Sequence, residues 1–287
     1  VTIFFRSDPL SGSVTLQYGQ SEAIINGYPV EEFPEFPLPQ GDIKFSIPGE
    51  VLREVITQVI FATARDENRP LYTGVLFEIA GGEINIVATD THRLAWRKIL
   101  LENTGDLNIN LIIPGKTLNE LTKVAGLSDE PLEIIVAENQ VIFNTENICL
   151  ISRLIGGNFP NYRQVIPIEY ISRVRLKARD LAEAAERAAL LTRDGSPVIR
   201  INIGDNILVV SVNTEAGRVR EEMTVFQEGE DLQFAFNARY LSDALKAIGT
   251  EEVLMEFTGP LSPVVIKPAG EMEYLSLLLP VRLREES

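Results

Sequence analysis

Lys116-Thr117-Leu118-Asn119-Glu120-Leu121-Thr122-Lys123-Val124-Ala125-Gly126 and, 123 positions later, Arg239-Tyr240-Leu241-Ser242-Asp243-Ala244-Leu245-Lys246-Ala247-Ile248-Gly249 are one amphipathic pattern written twice. Lys116, Thr117 and Leu118 fall on Arg239, Tyr240 and Leu241; Lys123 falls on Lys246 and Gly126 on Gly249. The offset extends outward, carrying Glu133 onto Glu256 and Val75-Leu76 onto Val198-Ile199. A register held that far predicts duplicated domains of roughly 120 residues, well beyond the ~20–50-residue units of solenoids. Chance matching in a chain rich in Leu, Val and Ile is the competing account, so other features have to decide.

A length of 287 residues leaves room for about two or more domains with sizeable cores. Hydrophobic content of 45% and charged content of 23% are those of an ordinary globular protein. The longest apolar runs, such as Leu275 to Leu279, have strand length and fall short of a membrane span. No basic, apolar leader opens the chain, and a cytoplasmic setting without membrane partners is expected. The single cysteine, Cys149, lies in the apolar run Ile148-Cys149-Leu150-Ile151 and is expected to be a buried, inert thiol.

The net charge of −15 argues at first against nucleic acid, but its distribution matters more than its sum. Up to position 43, Arg6 is the lone basic residue against Asp8, Glu22, Glu31, Glu32, Glu35 and Asp42. Basic residues concentrate instead in the predicted helices that follow.

Residues 1–43 read as short strands (Val1–Phe5, Ser13–Tyr18, Glu22–Asn26) followed by an extended connector holding Pro29, Pro34, Pro37 and Pro39. A second unit starts at Lys44. Its first helix is expected near Pro48, behind Ser46, with Val51, Leu52, Val55, Ile56, Val59 and Ile60 as the apolar stripe. Strands follow at 74–79 and 84–88, then a helix from Pro114 with Leu118, Leu121 and Val124 inward, then strands at 132–136, 140–143 and 148–151. The third unit repeats that order: helix from Ala178, strands at 198–203 and 207–212, helix from Ala238, and strands at 253–257, 263–266 and 274–279. Helix packed on antiparallel sheet, twice per unit, makes the fold class α+β.

On the second helix of each unit, Lys116 and Lys123, then Arg239 and Lys246, are seven residues apart and so share one face. The first helices and their flanks add Arg53 and Arg65, then Arg179, Arg187 and Arg193. With Glu120, Asp243 and Glu186 nearby, a solvated face of mixed charge is one reading. A duplicated positive face suited to phosphate, binding duplex without sequence preference, is the other.

Three segments settle the choice: Ala88-Thr89-Asp90-Thr91-His92-Arg93-Leu94-Ala95, then Ser152-Arg153-Leu154-Ile155-Gly156-Gly157-Asn158-Phe159-Pro160-Asn161-Tyr162-Arg163, then Leu279-Pro280-Val281-Arg282-Leu283. In this order and spacing the chain resembles the bacterial beta sliding clamp, the beta subunit of the DNA polymerase III holoenzyme. Phe236-Asn237-Ala238-Arg239-Tyr240-Leu241 and Tyr28-Pro29-Val30-Glu31-Glu32-Phe33-Pro34 match as well, so the likeness covers essentially the whole chain.

The resemblance implies repeated DNA-clamp domains: the C-terminal part of a first over 1–43, a second over 44–167 and a third over 168–287. It implies a head-to-tail homodimer encircling double-stranded DNA, with the basic helix faces toward it, and no active site, metal or cofactor. It also implies a pocket between the second and third domains for a short apolar-aromatic peptide. The peptide would come from the polymerase III alpha subunit, the clamp loader and repair polymerases. Matched position by position, that pocket is Tyr72, Thr89, Thr91, His92, Arg93, Leu94, Pro160, Val165, Leu277, Pro280, Val281 and Arg282, with Asn237 and Tyr240 at its rim. Two residues depart from the family. Thr91 stands where glycine is usual and is expected to narrow the pocket floor; Gln164 replaces a common basic residue.

Two other readings use the same residues. Asp90 and His92 could serve a hydrolase, but the chain holds no other histidine for a metal site and no Gly-x-Ser-x-Gly elbow. A protein-only scaffold would show no salt-dependent retention on DNA. The duplication also implies that about 80 residues of a first unit are not in this sequence. Residues 1–287 alone are therefore expected to close a ring poorly, running as a monomer or pairing through exposed strand edges.

Overall fold

The computed structural model describes residues 2–32, 41, 43–101, 107–126, 131–145, 147–192, 197–259 and 261–282. The chain forms two compact units, Val1–Gln40 and Gly41–Ser287. The small unit is an antiparallel meander of β1 (Ile3–Asp8), β2 (Ser13–Tyr18) and β3 (Ser21–Asn26). Leu16 is half-buried, whereas Phe4, Phe5 and Ile24 are exposed.

The large unit carries the duplication. Its first repeat runs β4 (Ile43–Pro48), α1 (Gly49–Val59), β5 (Gly74–Ala80), β6 (Glu83–Thr89), β7 (Arg93–Leu100), β8 (Asn108–Pro114), α2 (Gly115–Val124), β9 (Pro131–Val136), β10 (Gln140–Asn144) and β11 (Cys149–Arg153). The second runs β12 (Ser172–Lys177), α3 (Ala178–Ala189), β13 (Val198–Gly204), β14 (Ile207–Thr214), β15 (Gly217–Thr224), β16 (Phe226–Gly229), β17 (Leu232–Asn237), α4 (Ala238–Ala247), β18 (Glu252–Phe257), β19 (Val264–Pro268) and β20 (Tyr274–Leu278). Helix α2 maps onto α4 end to end at the 123-residue offset. The glycines that follow them, Gly126 and Gly249, both have positive φ (81° and 73°), the left-handed turn that ends a helix at little cost only for glycine.

Helix starts obey one local rule in the first repeat. Pro48 and Pro114 end a strand and N-cap the helix that follows directly, without a side-chain cap. Ser46 therefore belongs to β4 and is not the expected cap. On α1 the inward stripe is Leu52, Val55, Ile56 and Val59, whereas Val51 lies at its margin and is 36% exposed. Ile60 has passed into a short 3₁₀ turn and is half-buried, as is Val124 on α2. Leu118 and its repeat Leu241 are fully buried, and losing either to alanine would cost about 2–5 kcal/mol.

Each repeat has its own core between helices and sheets. A nine-stranded antiparallel sheet, β16-β12-β18-β19-β20-β7-β6-β5-β8, crosses from one repeat to the other where β20 pairs with β7. Flanking it are the four-stranded sheets β11-β10-β9-β4 and β15-β14-β13-β17. Cys149 is exposed, not buried: it opens β11, an edge strand whose two ends both face solvent. Among the described residues no helix is long and apolar enough to cross a membrane.

Candidate functional site

The site grows from the two-residue loop Thr91–His92 between β6 and β7. Across its neck Asp90 N donates to Arg93 O at 3.2 Å. The Asp90 carboxylate accepts from His92 N (2.9 Å), Arg93 N (3.0 Å) and Arg93 Nε (3.0 Å). It is thereby committed to the turn, not to the imidazole an Asp–His hydrolase pair would require. Thr91 has φ +78° and His92 does not share the positive φ. That is the pattern of a type II′ hairpin, whose first central residue is ordinarily glycine. A β-branched side chain in left-handed backbone costs about 1–2 kcal/mol.

Arg93, only 9% exposed, ties the two repeats together. Its Nη1 donates to Asp243 Oδ2 on α4 at 2.7 Å. Its guanidinium lies 4.2 Å from the Tyr240 ring centre and 5.3 Å from that of Phe61. A planar cation that bridges two carboxylates, Asp90 and Asp243, while lying against two aromatic rings is work that lysine could not do.

The β7–β20 register sets Leu94 opposite Leu277 and Trp96 opposite Leu275. Strand alternation turns these four to one face, where they join a small core with Leu76, Val87, Ile112, Tyr162 and Val265. Over this core opens a mainly apolar pocket of about 290 Å³. Its lining brings together Tyr72, Thr89, Thr91, His92, Arg93, Leu94, Pro160, Val165 and Leu277, all of them positions that the resemblance named. Asn161, Tyr162, Pro263 and Leu279 also line it and were not named; Asn161, Tyr162 and Leu279 sit inside the quoted motifs, while Pro263 gave no local signal.

The loop separates this pocket from a polar groove of about 700 Å³ that Thr91, His92 and Arg93 also line. Asn237 and Tyr240 belong to the groove. Asn237 Oδ1 caps α4 by accepting from Arg239 N (3.0 Å) and Tyr240 N (3.3 Å), and the Tyr240 ring stacks on His92 with centroids 6.4 Å apart. Pro280, Val281 and Arg282 line neither space. Their segment is pinned beside the site by Leu279 N to His92 O (3.0 Å) and Val281 N to Ala235 O (2.7 Å).

Tyr162 is buried, and its hydroxyl donates to Glu78 Oε2 at 2.9 Å; burial pushes that phenol well above its ordinary value. Arg163 pairs with the same carboxylate and is the main reason Glu78 titrates below the usual range, burial opposing and Tyr162 assisting. This contact fastens the pocket wall to β5.

The basic helix faces are charge-paired. Lys116 meets Glu67 (2.7 Å), Lys123 meets Glu120 (2.7 Å), Arg53 meets Glu50 (3.1 Å), Arg179 meets Glu183 (2.6 Å) and Arg187 meets Glu221 (2.7 Å). Lys246 pairs with Glu186. Arg65 and Arg239 are exposed and form no ion pair among the described residues. Arg193 lies outside the described residues.

The chain as a whole is similar to known proteins. The family description "DNA polymerase III beta subunit, central domain" matches residues 46–161, and "DNA polymerase III beta subunit, C-terminal domain" matches 163–282. The beta sliding clamp of Halalkalibacterium halodurans is 38% identical over 93% of this chain and 72% of its own length. This chain belongs to the bacterial beta sliding clamp family. A second relative, the beta sliding clamp of Staphylococcus epidermidis, is 39% identical over 92% of this chain and 71% of its own length. The crystal structure of the Bacillus subtilis DNA polymerase sliding clamp superposes with a TM-score of 0.90 at 32% identity, covering 98% of this chain and 75% of that one. The protein is thus a DNA sliding clamp, a processivity factor of DNA replication that holds polymerase on duplex DNA, and not an enzyme.

Proposed function

We propose that this clamp recruits its partners through the pocket over the β7–β20 seam, and that its helix faces meet the DNA. The carrying observation is the pairing of an apolar pocket with a polar groove across one short loop, both built from the two repeats at once. Apolar walls take Leu or Phe anchors, and the polar side fixes the backbone register of an extended peptide. On this reading the pocket comprises Tyr72, Thr89, Thr91, His92, Arg93, Leu94, Pro160, Val165 and Leu277, bordered by Asn237, Tyr240 and the 280–282 segment. Its ligands are peptides from the alpha subunit of polymerase III, the clamp loader and repair polymerases, in the cytoplasm. Residues 44–167 and 168–287 act as the second and third clamp domains, and 1–43 as part of a first.

Two protomers meet head to tail around the duplex. The support is that β15 is an unpaired edge, with Leu190, 83% exposed, at the end of the helix packed beside it. The phosphate-facing set is Arg53, Arg65, Lys116, Lys123, Arg179, Arg187, Arg193, Arg239 and Lys246. Because most of these hold a glutamate already, phosphate must displace a partner, which favours weak, salt-sensitive, sliding contact.

Calorimetry with an extended peptide bearing Leu and Phe anchors tests the pocket. Truncation after Leu278, and separately Val165→Glu at an exposed wall residue, should each weaken binding by about tenfold or more. Equal affinity for both variants and the intact chain would refute the assignment. In the other arm, reversing the charges of Lys116, Lys123, Arg239 and Lys246 should weaken retention on circular DNA and flatten its salt dependence by about 0.9 per lost contact. Unchanged retention at every salt would remove the face from the DNA path.

A further inference from the structure

Thr91 joins three facts that no structural role accounts for. It is held at φ +78° at a hairpin position where glycine would be unstrained. Its side chain repays none of that strain. Its hydroxyl has no hydrogen-bond partner among the described residues, while the neighbouring Thr89 hydroxyl donates to Arg93 O at 2.8 Å and accepts from Thr91 N at 3.3 Å. The contrast is the Asp205–Asn206 turn, also at positive φ (54° and 59°). There Asn206 is a residue type that tolerates the conformation, and its Oδ1 accepts from Gln227 N at 2.9 Å. Finally, Thr91 is exposed and, with His92 and Arg93, borders both the apolar pocket and the polar groove, so a chain passing from one to the other crosses the loop that carries it.

Strain that persists without an internal return, at the boundary of two binding spaces, marks a residue kept for what it does to a ligand. We propose that Thr91 is a specificity-determining residue of this clamp. Its hydroxyl hydrogen-bonds the main chain of an extended partner peptide where that peptide crosses from pocket to groove. Its branched Cβ admits only a small side chain at the crossing residue. The proposal rests on the reading of the pocket as the partner-peptide site.

Fluorescence anisotropy on the full chain separates the two claims. The probes are labelled extended peptides with Leu and Phe anchors, carrying Gly, Ala or Val at the crossing residue, and an ester analogue of the Ala peptide lacking that amide. Wild-type protein should bind the Ala peptide about tenfold more tightly than the Val peptide, the scale of one or two misplaced methyl groups. Thr91→Gly, with folding verified by thermal melting, should compress that ratio to within about twofold. Thr91→Val keeps the branch without the hydroxyl. It should retain the steric ratio but lose about three- to tenfold for the amide peptide, and little for the ester. Thr91→Ser should restore amide affinity. A Thr91→Gly protein that keeps the wild-type ratio, or a Thr91→Val protein that binds amide and ester as wild type does, overturns the proposal while leaving the pocket assignment intact. If wild-type protein binds none of these peptides, or Val165→Glu changes nothing, the pocket assignment and the proposal fall together.

Discussion

Strands β7 and β15 occupy the same place in the two repeats and have opposite fates. Strand β7 is paired on both sides, with β6 and with β20, and its first three residues are buried. Among the described residues strand β15 pairs only with β14, and from Arg218 onward its residues alternate between exposed and half-buried. Their turns differ too: Thr91–His92 is strained, whereas Glu215–Ala216 before β15 has no positive φ. The two repeats place one strand twice; covering one copy with β20 built the pocket lining, and the other copy is left with an unpaired edge among the described residues. The free edge is guarded by charge, with Arg218, Arg220, Glu221 and Glu222 along it, which is how natural sheets avoid indiscriminate pairing.

The most damaging way to break this comparison is to place a short acid in the covered seam. Leu277 is 4% exposed and faces Leu94 across the β20–β7 pair. Leu277→Asp buries an unpaired charge too short to reach solvent and should lower unfolding free energy by about 4 kcal/mol, abolishing peptide binding with it. The matched insult on the bare strand, Thr224→Asp at an exposed position, should stay within about 0.5 kcal/mol. Denaturant melts of the two variants decide. Equal losses would mean that β15 is covered after all.

This asymmetry marks where the sequence stops being readable. The offset of 123 announced the duplication, and α2, α4 and the strand pairs near them follow from local periodicity. Strand β7 did not announce itself: Arg93-Leu94-Ala95-Trp96-Arg97-Lys98 lacks clean alternation because both its faces are buried at the start, and its two edges pair with strands of different repeats. Nothing local reveals that Leu94 meets Leu277, a partner far along the chain. The short edge strand β16 and its neighbour β12, paired on both sides, were missed for the same reason: their pairing energy comes from distant neighbours. The pocket residues came from resemblance alone. Periodicity showed the basic faces but not their glutamate partners Glu67 and Glu221, which lie on other elements.

A finer test sharpens the contrast without mutation. Outward amides of β15 should exchange with solvent more than about a hundredfold faster than the doubly paired amides of β7 in dilute protein. Raising the protein concentration should protect β15 selectively if that edge receives a second protomer, and Leu190→Glu should cancel the gain. Equal protection of both strands in dilute protein would contradict the edge assignment.

The smallest effect concerns one carboxylate that the repeats do not share. The ladders pair Gly74 with Pro114 and Val198 with Asn237, which sets β13 at an offset of 124 and not the 123 that put Val75 on Val198; Glu78 on β5, which holds Arg163 and Tyr162, therefore corresponds to Asn202. Glu78 titrates below the ordinary value of 4.5, chiefly because of Arg163. A carboxylate depressed on folding contributes fully above its unfolded value and loses that contribution as pH falls through the lower folded value. The pocket wall should therefore loosen below about pH 4.5, by about 1 kcal/mol or less because Arg163 is largely solvated. Glu78→Gln should remove that acid dependence and speed amide exchange across 154–165 at neutral pH. Asn202→Glu gives the converse. That half-buried site has Val209 and Gln233 as its strand neighbours and no cation among them. A carboxylate there is raised by burial, so its cost should grow as pH rises from 4 to 7, the opposite sign to Glu78. If Glu78→Gln leaves the wild-type pH–stability curve unchanged, or Asn202→Glu makes stability rise with pH as Glu78 does, the Glu78–Arg163 tether is not what distinguishes the two repeats.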